Sequence, residues 1–293
     1  TLVIFGGPNF SLDIKKKIEF LNKNKSIDLV IQGDAEVVAK SIVENYKNNG
    51  FNIDKLKKLK IPNTLSICHK TKKIYQGDSL DNRVGMNGVD FKDIPSPYLS
   101  GAMDPFFENG SIPLLESNRG CPYSCTFCQQ GTKYFSKIRY YHHSRVLEEL
   151  KYIAKKVKED SLDMRIVEFT DPNFGMYDND TRICTHIRSV QDEYNYPERI
   201  QCSTGKSQPN KIIKNAKIIK RNSMMIRAAV QSMNKSTLEK IARKNLPLNV
   251  FKDMSDQGIE TYSDIMLSLP GETKETYLNG IYELIDFGID EFS

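Results

Sequence analysis

Three cysteines stand within eight positions of one another in the segment Arg119-Gly120-Cys121-Pro122-Tyr123-Ser124-Cys125-Thr126-Phe127-Cys128. Their spacing is C-x3-C-x2-C, just after an apolar strand-like stretch and before a helix-like one. Three thiolates on one short loop can converge on a single inorganic centre, and thiolates are the usual protein ligands of iron–sulfur clusters. The count of three is informative, because a four-iron cluster held by three cysteines keeps one iron open to a ligand that is not protein. Zinc is the rival reading. A structural zinc site wants four protein ligands, and His142 or His143 is the candidate fourth. A third reading, cysteines packed as small apolar side chains, gives no reason for all three to share one polar loop. The scattered Cys68, Cys184 and Cys202 read as core residues.

A loop that holds such a centre needs a frame. From Ser111 onward apolar stretches at 112–118, 165–170, 199–203, 225–230, 261–269 and near 289 alternate with helical patterns at 144–158, 180–194, 210–221, 236–243, a second helix to about 257, and 274–287. Five βα units and the opening of a sixth predict a partial parallel (β/α)6 barrel, truncated near its sixth strand, with its functional face at the C-terminal ends of the strands. Residues 1–50 read strand, helix, strand, helix. Residues 2–5 run into Gly6-Gly7-Pro8, a helix starts near Leu12, and residues 28–31 run into Gly33-Asp34-Ala35-Glu36 before a second helix. That order predicts a parallel, Rossmann-like sheet. Residues 51–110, rich in Asn, Asp, Gly and Pro, read as a linker with one small hairpin. The expected organisation is therefore α/β: a partial domain over 1–50, a linker over 51–110 and a barrel over 111–293. Thr1 opens directly into a strand and Ser293 ends inside another, so the chain reads as a fragment cut at both ends.

The cysteine segment, with Phe127 before its third cysteine, resembles the signature of radical S-adenosylmethionine (SAM) enzymes. Further segments resemble that family's cobalamin-binding branch: Asp171-Pro172-Asn173-Phe174-Gly175, Gln231-Ser232-Met233-Asn234, Arg243-Lys244-Asn245 and Leu269-Pro270-Gly271-Glu272-Thr273. Gly6-Gly7-Pro8 and Gly33-Asp34-Ala35-Glu36 resemble the last strands of the branch's cobalamin domain, which makes residues 1–50 the C-terminal half of that domain. The resemblance implies a 4Fe-4S cluster on Cys121, Cys125 and Cys128, whose open iron is chelated by the methionine part of SAM. It implies reductive cleavage of SAM to a 5′-deoxyadenosyl radical, so the cofactor carries the hard chemistry.

The same resemblance proposes residues for SAM, each with a plainer role beside it. Phe127 belongs to the signature itself. Asp171, at a strand's C-terminal end, binds SAM or substrate, or caps the following loop. Ser203 and Lys206 meet the SAM carboxylate, Lys206 as a point charge, or Lys206 is simply a surface residue. Gln231, flanked by apolar residues, points into the barrel mouth towards SAM or a neighbouring backbone. Arg243 reaches the SAM ribose or carboxylate, or forms a structural ion pair. Leu269 and Pro270 present an edge strand whose backbone recognises adenine. For cobalamin the expected residues are Gly6, Gly7, Gly33 and Glu36. Locally, the glycines also read as tight turns and Glu36 as support for its own helix N-terminus.

Composition narrows the rest. With 293 residues, 39% apolar and 27% charged, and a net charge of +5, the chain is an ordinary folded protein. Its lysine runs read as solvated helix faces, so a nucleic-acid partner is not expected. No apolar run approaches the length of a membrane span, and a cytoplasmic location is expected. The reading is a cobalamin-dependent radical SAM enzyme, foremost a methyltransferase acting on an unactivated carbon. Its substrate would be a small molecule or biosynthetic intermediate, and its electron donor a flavodoxin or ferredoxin. The alternatives are an oxidoreductase or cyclase of the same branch, a methylthiotransferase, which would carry three more N-terminal cysteines, and a non-enzymatic iron–sulfur or zinc module.

Overall fold

A computed structural model of the chain describes residues 1–7, 11, 13–86, 89–227 and 229–293. Pro8, Leu12 and Ala228, assigned above to a turn, a helix start and a strand, lie outside the described residues. The chain divides into two compact units, Thr1–Ile94 and Pro95–Ser293.

The first unit comprises β1 (Ile4–Phe5), α1 (Ile14–Lys23), β2 (Leu29–Ile31), α2 (Glu36–Asn48), α3 (Ile53–Lys58), β3 (Thr64–Cys68) and β4 (Lys73–Gln76). Its strands form one sheet in the order β1-β2-β3-β4. Every residue of β2 is buried. Leu29 and Ile31 pack with Val38, Ile42 and Leu56 of the following helices, while Val30 packs with Leu21 of α1 and with Leu65 and Ile67. A strand covered on both faces needs no polar alternation, which explains its unbroken apolar sequence. β1 and β2 are parallel, as expected, but β3 and β4 add antiparallel. Four residues, 69–72, join β3 to β4, too few for the crossover that parallel neighbours require. The segment expected as a linker thus folds as far as Ile94, and the units meet at 94/95 rather than at 50 and 110. Its turn-forming composition marks tight reversals, with Asn63 and Lys72 at positive φ, and not loose chain.

The second unit opens with the short α4 (Asp104–Phe107), then β5 (Leu114–Leu115), β6 (Asn118–Arg119), β7 (Arg139–Tyr140), α5 (His143–Glu159), β8 (Ile166–Phe174), α6 (Asp178–Tyr194), β9 (Arg199–Thr204) and α7 (Pro209–Ile218). It continues through β10 (Ile226–Arg227), α8 (Lys235–Lys240), α9 (Leu248–Asp256), β11 (Thr261–Ser263), α10 (Lys274–Asp286) and β12 (Glu291–Phe292). Strands β5-β8-β9 and β10-β11-β12 form two parallel sheets in chain order, bridged between Ile200 and Met224. Each strand-to-strand passage from β8 onward contains a helix, so the alternation read from the sequence is the alternation observed. The core under the later strands gathers Ile212 of α7, Ile226 of β10, Phe251 and Met254 of α9 and Leu284 of α10. The antiparallel pair β6–β7 closes the base of the cysteine loop.

Several strands are shorter than expected. The apolar run 261–269 is strand only to Ser263, and Leu269 and Pro270 lie beyond it in a turn closed by Glu272 N–H donating to Leu269 O at 2.9 Å. Ser268 sits at φ 61°, and Pro270 has no N–H to pair. The edge-strand recognition of adenine expected of Leu269 and Pro270 has no strand to rest on. Among the described residues no helix is long and apolar enough to cross a membrane.

Candidate active site at the open end of the parallel strands

The cysteine loop is fixed by its own backbone and by one distant segment. Cys121 N–H donates to Phe135 O (2.8 Å), Cys128 N–H to Cys125 O (3.1 Å) and Gly131 N–H to Cys128 O (2.9 Å). Thr126 N–H donates across the site to Ile241 O (3.0 Å). Two glycines permit this closeness. A Cβ on Gly131 would lie 2.3 Å from Cys125 O, and one on Gly120, at φ +112°, would lie 2.5 Å from Lys137 O. All three cysteines are free thiols; Cys121 and Cys125 are buried, Cys128 exposed.

A cavity of about 320 Å³ opens over the loop. Its wall brings together Cys121, Cys125, Cys128, Phe127, Ser203, Lys206, Gln231 and Arg243, all singled out in the sequence. It also includes residues that sequence reasoning passed over, notably Tyr123, Thr204, Arg227 and Asp264. Thr204, Arg227 and Asp264 stand at or just past the ends of β9, β10 and β11, so the rule that barrel function sits at strand ends was signal enough to find them. Leu269 and Pro270 do not line this cavity.

Asp171 does not line it either. Its buried carboxylate accepts from Ser117 N–H (2.9 Å) and Asn118 N–H (2.8 Å) on one oxygen and from Ser117 Oγ (2.8 Å) on the other. It fastens the end of β8 to the segment that leads into the cysteine loop. Burial pushes this carboxyl up to about 7 against those three hydrogen bonds. The binding role expected for Asp171 thus gives way to that of a strut.

Two cations flank the thiols. Arg243 places Nη1 3.9 Å from Cys125 Sγ, donates Nε–H to Asn245 Oδ1 (3.1 Å) and binds Ala229 O through Nη2. Lys206 Nζ donates to Asn173 Oδ1 (3.2 Å) and lies 5.5 Å over the Tyr123 ring. Asn173 Nδ2 in turn donates to Cys121 Sγ at 3.3 Å. Burial lowers the pKa of both cations, Arg243 lowers that of Lys206 further, and the thiolates pull both back up. Buried cations need a compensating anion, and a thiolate-held centre supplies one. The donor set therefore fits an iron–sulfur cluster. A structural zinc ion would need a fourth protein ligand beside the three thiols. The candidate fourth ligands each use one ring nitrogen within their own neighbourhood, His143 Nδ1 with His186 Nε2 (3.1 Å) and His142 Nδ1 with Ser144 Oγ (2.7 Å), and neither lines this cavity.

In the first unit Gly6 and Gly7 directly follow β1, Gly33 follows β2 after one residue, and Glu36 opens α2. Parallel pairing sets the C-terminal ends of β1 and β2 side by side, which places these four residues at one sheet edge.

Three thiols on one loop thus share a single cavity with two cations at the C-terminal ends of parallel strands. The chain belongs to the radical SAM superfamily, whose profile matches residues 115–280. It is 30% identical over 211 residues to the cobalamin-dependent radical SAM methyltransferase TokK of Streptomyces tokunonensis, a match covering 68% of this chain and 30% of that protein. It is 25% identical to the 2-(S-pantetheinyl)-carbapenam-3-carboxylate methyltransferase of Streptantibioticus cattleyicolor, over 99% of this chain and 41% of that one. The chain thus spans less than half the length of these curated relatives. Its fold matches the radical SAM methyltransferase TsrM of Kitasatospora setae, solved with tryptophan and a SAM analogue, with a TM-score of 0.68 and 14% identity over 100% of this chain and 55% of that one.

The close approach at Gly131 yields a direct test. Gly131→Ala forces the Cys125 backbone away from its place, since the intruding contact is a carbonyl and not a flexible side chain. We expect the variant to retain well under half the iron of the wild type after anaerobic reconstitution, with the fold intact by circular dichroism. Equal iron would show that this contact does not set the spacing of the thiols.

Proposed function

We propose that the chain is the core of a cobalamin-dependent radical SAM methyltransferase acting on an unactivated carbon of a small molecule or biosynthetic intermediate. One observation carries the reading: Cys121, Cys125 and Cys128 share a single cavity with Lys206, Gln231 and Arg243 at the C-terminal ends of parallel strands. The kinship to cobalamin-dependent methyltransferases supports the rest.

In this reading the three thiolates hold a 4Fe-4S cluster, which together with SAM supplies a 5′-deoxyadenosyl radical when reduced by an external donor such as a flavodoxin or ferredoxin. The chain's own residues prepare the place. Lys206 and Arg243 give the cavity the positive charge that a bound carboxylate needs, and desolvation strengthens that attraction. The amide of Gln231 and the hydroxyl of Ser203 offer hydrogen bonds at the wall, and Phe127 offers an apolar face between two of the thiols. Backbone geometry holds Gln231 in place, its N–H donating to Asp264 O (2.8 Å) and its carbonyl accepting from Met266 N–H (2.8 Å).

Cobalamin would meet Gly6, Gly7, Gly33 and Glu36 at the carboxyl edge of β1 and β2, where ligands of parallel sheets bind. Among the described residues a Cβ built on Gly7 would meet nothing within 4 Å. The expected setting is the cytoplasm, where a reduced donor is at hand.

Product analysis tests the reading and separates it from an oxidoreductase or cyclase. Methyl transfer from SAM leaves S-adenosylhomocysteine, whereas reductive cleavage leaves 5′-deoxyadenosine. Anaerobically reconstituted protein given SAM, dithionite and cobalamin should form 5′-deoxyadenosine, and with substrate both products should rise together. Formation of 5′-deoxyadenosine alone in the presence of a consumed substrate would favour the oxidative alternative. Neither product from iron-loaded protein would overturn the assignment.

A further inference from the structure

Asn173 touches a cluster thiol on one side and a cation on the other. It is completely buried at the end of β8. Its Nδ2 lies 3.3 Å from Cys121 Sγ and its Oδ1 accepts from Lys206 Nζ at 3.2 Å. The orientation of the amide is dictated by chemistry. An ammonium only donates, so the atom facing Lys206 is the oxygen and the atom facing sulfur is the NH2 group. The opposite orientation would set the NH2 against the ammonium and the carbonyl oxygen against the thiolate. Lys206 therefore locks Asn173 as a hydrogen-bond donor to Cys121.

A hydrogen bond to a ligating sulfur withdraws electron density from the metal and makes an iron–sulfur centre easier to reduce. Polarisation of the amide by the ammonium strengthens its N–H as a donor. We propose that Asn173 is a positioning residue that relays the charge of Lys206 to the Cys121 thiolate and thereby raises the reduction potential of the centre. The inference rests on the function proposed above, since it needs an iron–sulfur cluster on these cysteines.

The test is the midpoint potential of the reconstituted centre, followed by electron paramagnetic resonance during redox titration. Iron content is measured first in every protein. Asn173→Leu, close to isosteric and without a donor, should shift the potential to more negative values. Loss of one hydrogen bond to a charged acceptor predicts a roughly tenfold fall in the reduced-to-oxidised ratio at a fixed potential, which for a one-electron couple is about 59 mV. Lys206→Met should shift it in the same direction, and its effect should largely vanish in the Asn173→Leu background, as a relay requires.

An unchanged potential in fully loaded Asn173→Leu would overturn the proposal. So would a Lys206→Met effect of equal size in both backgrounds, which would mean that the charge acts through space and not through the amide. Should Asn173→Leu fail to assemble iron, Asn173→Asp decides: it keeps the shape and the Lys206 contact but presents only acceptors to sulfur, so its potential must also fall. A wild-type chain that assembles no iron–sulfur centre fails at the first measurement. That result counts against the proposed function and takes this inference with it.

Discussion

Replacing Cys121, Cys125 or Cys128 singly by alanine is expected to reduce SAM cleavage to the background of the protein-free reaction. The wild type, reconstituted without oxygen, should hold about four irons per chain, as a single 4Fe-4S centre requires. Each alanine variant should lose most of that iron, because the remaining two thiolates cannot complete the set. Of the two histidines that were candidates by sequence, His142 hydrogen-bonds to Ser144 and His143 to His186. Cys202→Ala provides the contrast. That thiol is buried in β9, and burial holds it protonated, so its loss should leave iron content unchanged. Iron determination and 5′-deoxyadenosine quantification check all four variants. Full iron retention in any of the three loop variants would remove that cysteine from the ligand set.

The second large effect concerns stability. Asp171→Ala strips two buried backbone N–H groups, those of Ser117 and Asn118, of their acceptor. Each such loss costs about 1–3 kcal/mol, so the variant should be less stable by about 2–6 kcal/mol. Asp171→Asn should cost under about 1 kcal/mol, because its oxygen still accepts both N–H bonds and its NH2 can donate to Ser117 Oγ. The pair separates hydrogen bonding from charge, and pH separates them further. Burial raises the Asp171 carboxyl from 3.8 to about 7, so the folded chain holds this proton more tightly than the unfolded chain does. That contribution is complete below about pH 4 and is lost as the pH rises through about 7. The wild type should therefore lose ground to Asp171→Asn between about pH 5 and about pH 8 in urea melts. A gap that does not change with pH would mean that Asp171 keeps an ordinary carboxyl pKa.

That the three cysteines share one cavity was legible in their spacing, since three thiols on one short loop have little room to part. Lys206, Gln231 and Arg243 were legible through position, at or beyond the ends of alternating strands. Asn173 and Asp264 were not assigned roles, and the reason is local. Strands of two or three residues, such as β10 and β11, are too short for alternation to declare which side chain turns inward. At the end of β8 the pairing register is irregular between Phe169 and Phe174, so Asp171 and Asn173 find quite different partners despite their two-residue spacing. Asp171 turns to Ser117 and Asn173 to Cys121. One small hairpin was expected within 51–110 and β3 with β4 forms one there, but the turn residues around it, which look like linker composition, hid that it extends the sheet of β1 and β2. Leu269 and Pro270 were misplaced because an apolar run continues past the point where backbone pairing stops.

The cysteine loop is fastened to chain made much later, with Thr126 N–H on Ile241 O and Arg243 beside Cys125. At a ribosomal rate of 5–20 residues per second, the wall that shelters these thiols follows them by roughly 6–24 s. Throughout that interval three closely spaced thiols lie on an unfinished barrel, open to oxygen and to stray metal. The shelter of these thiols is thus timed by translation: a slow stretch of codons just before the 241–245 segment would lengthen the interval of exposure while one just after it would not.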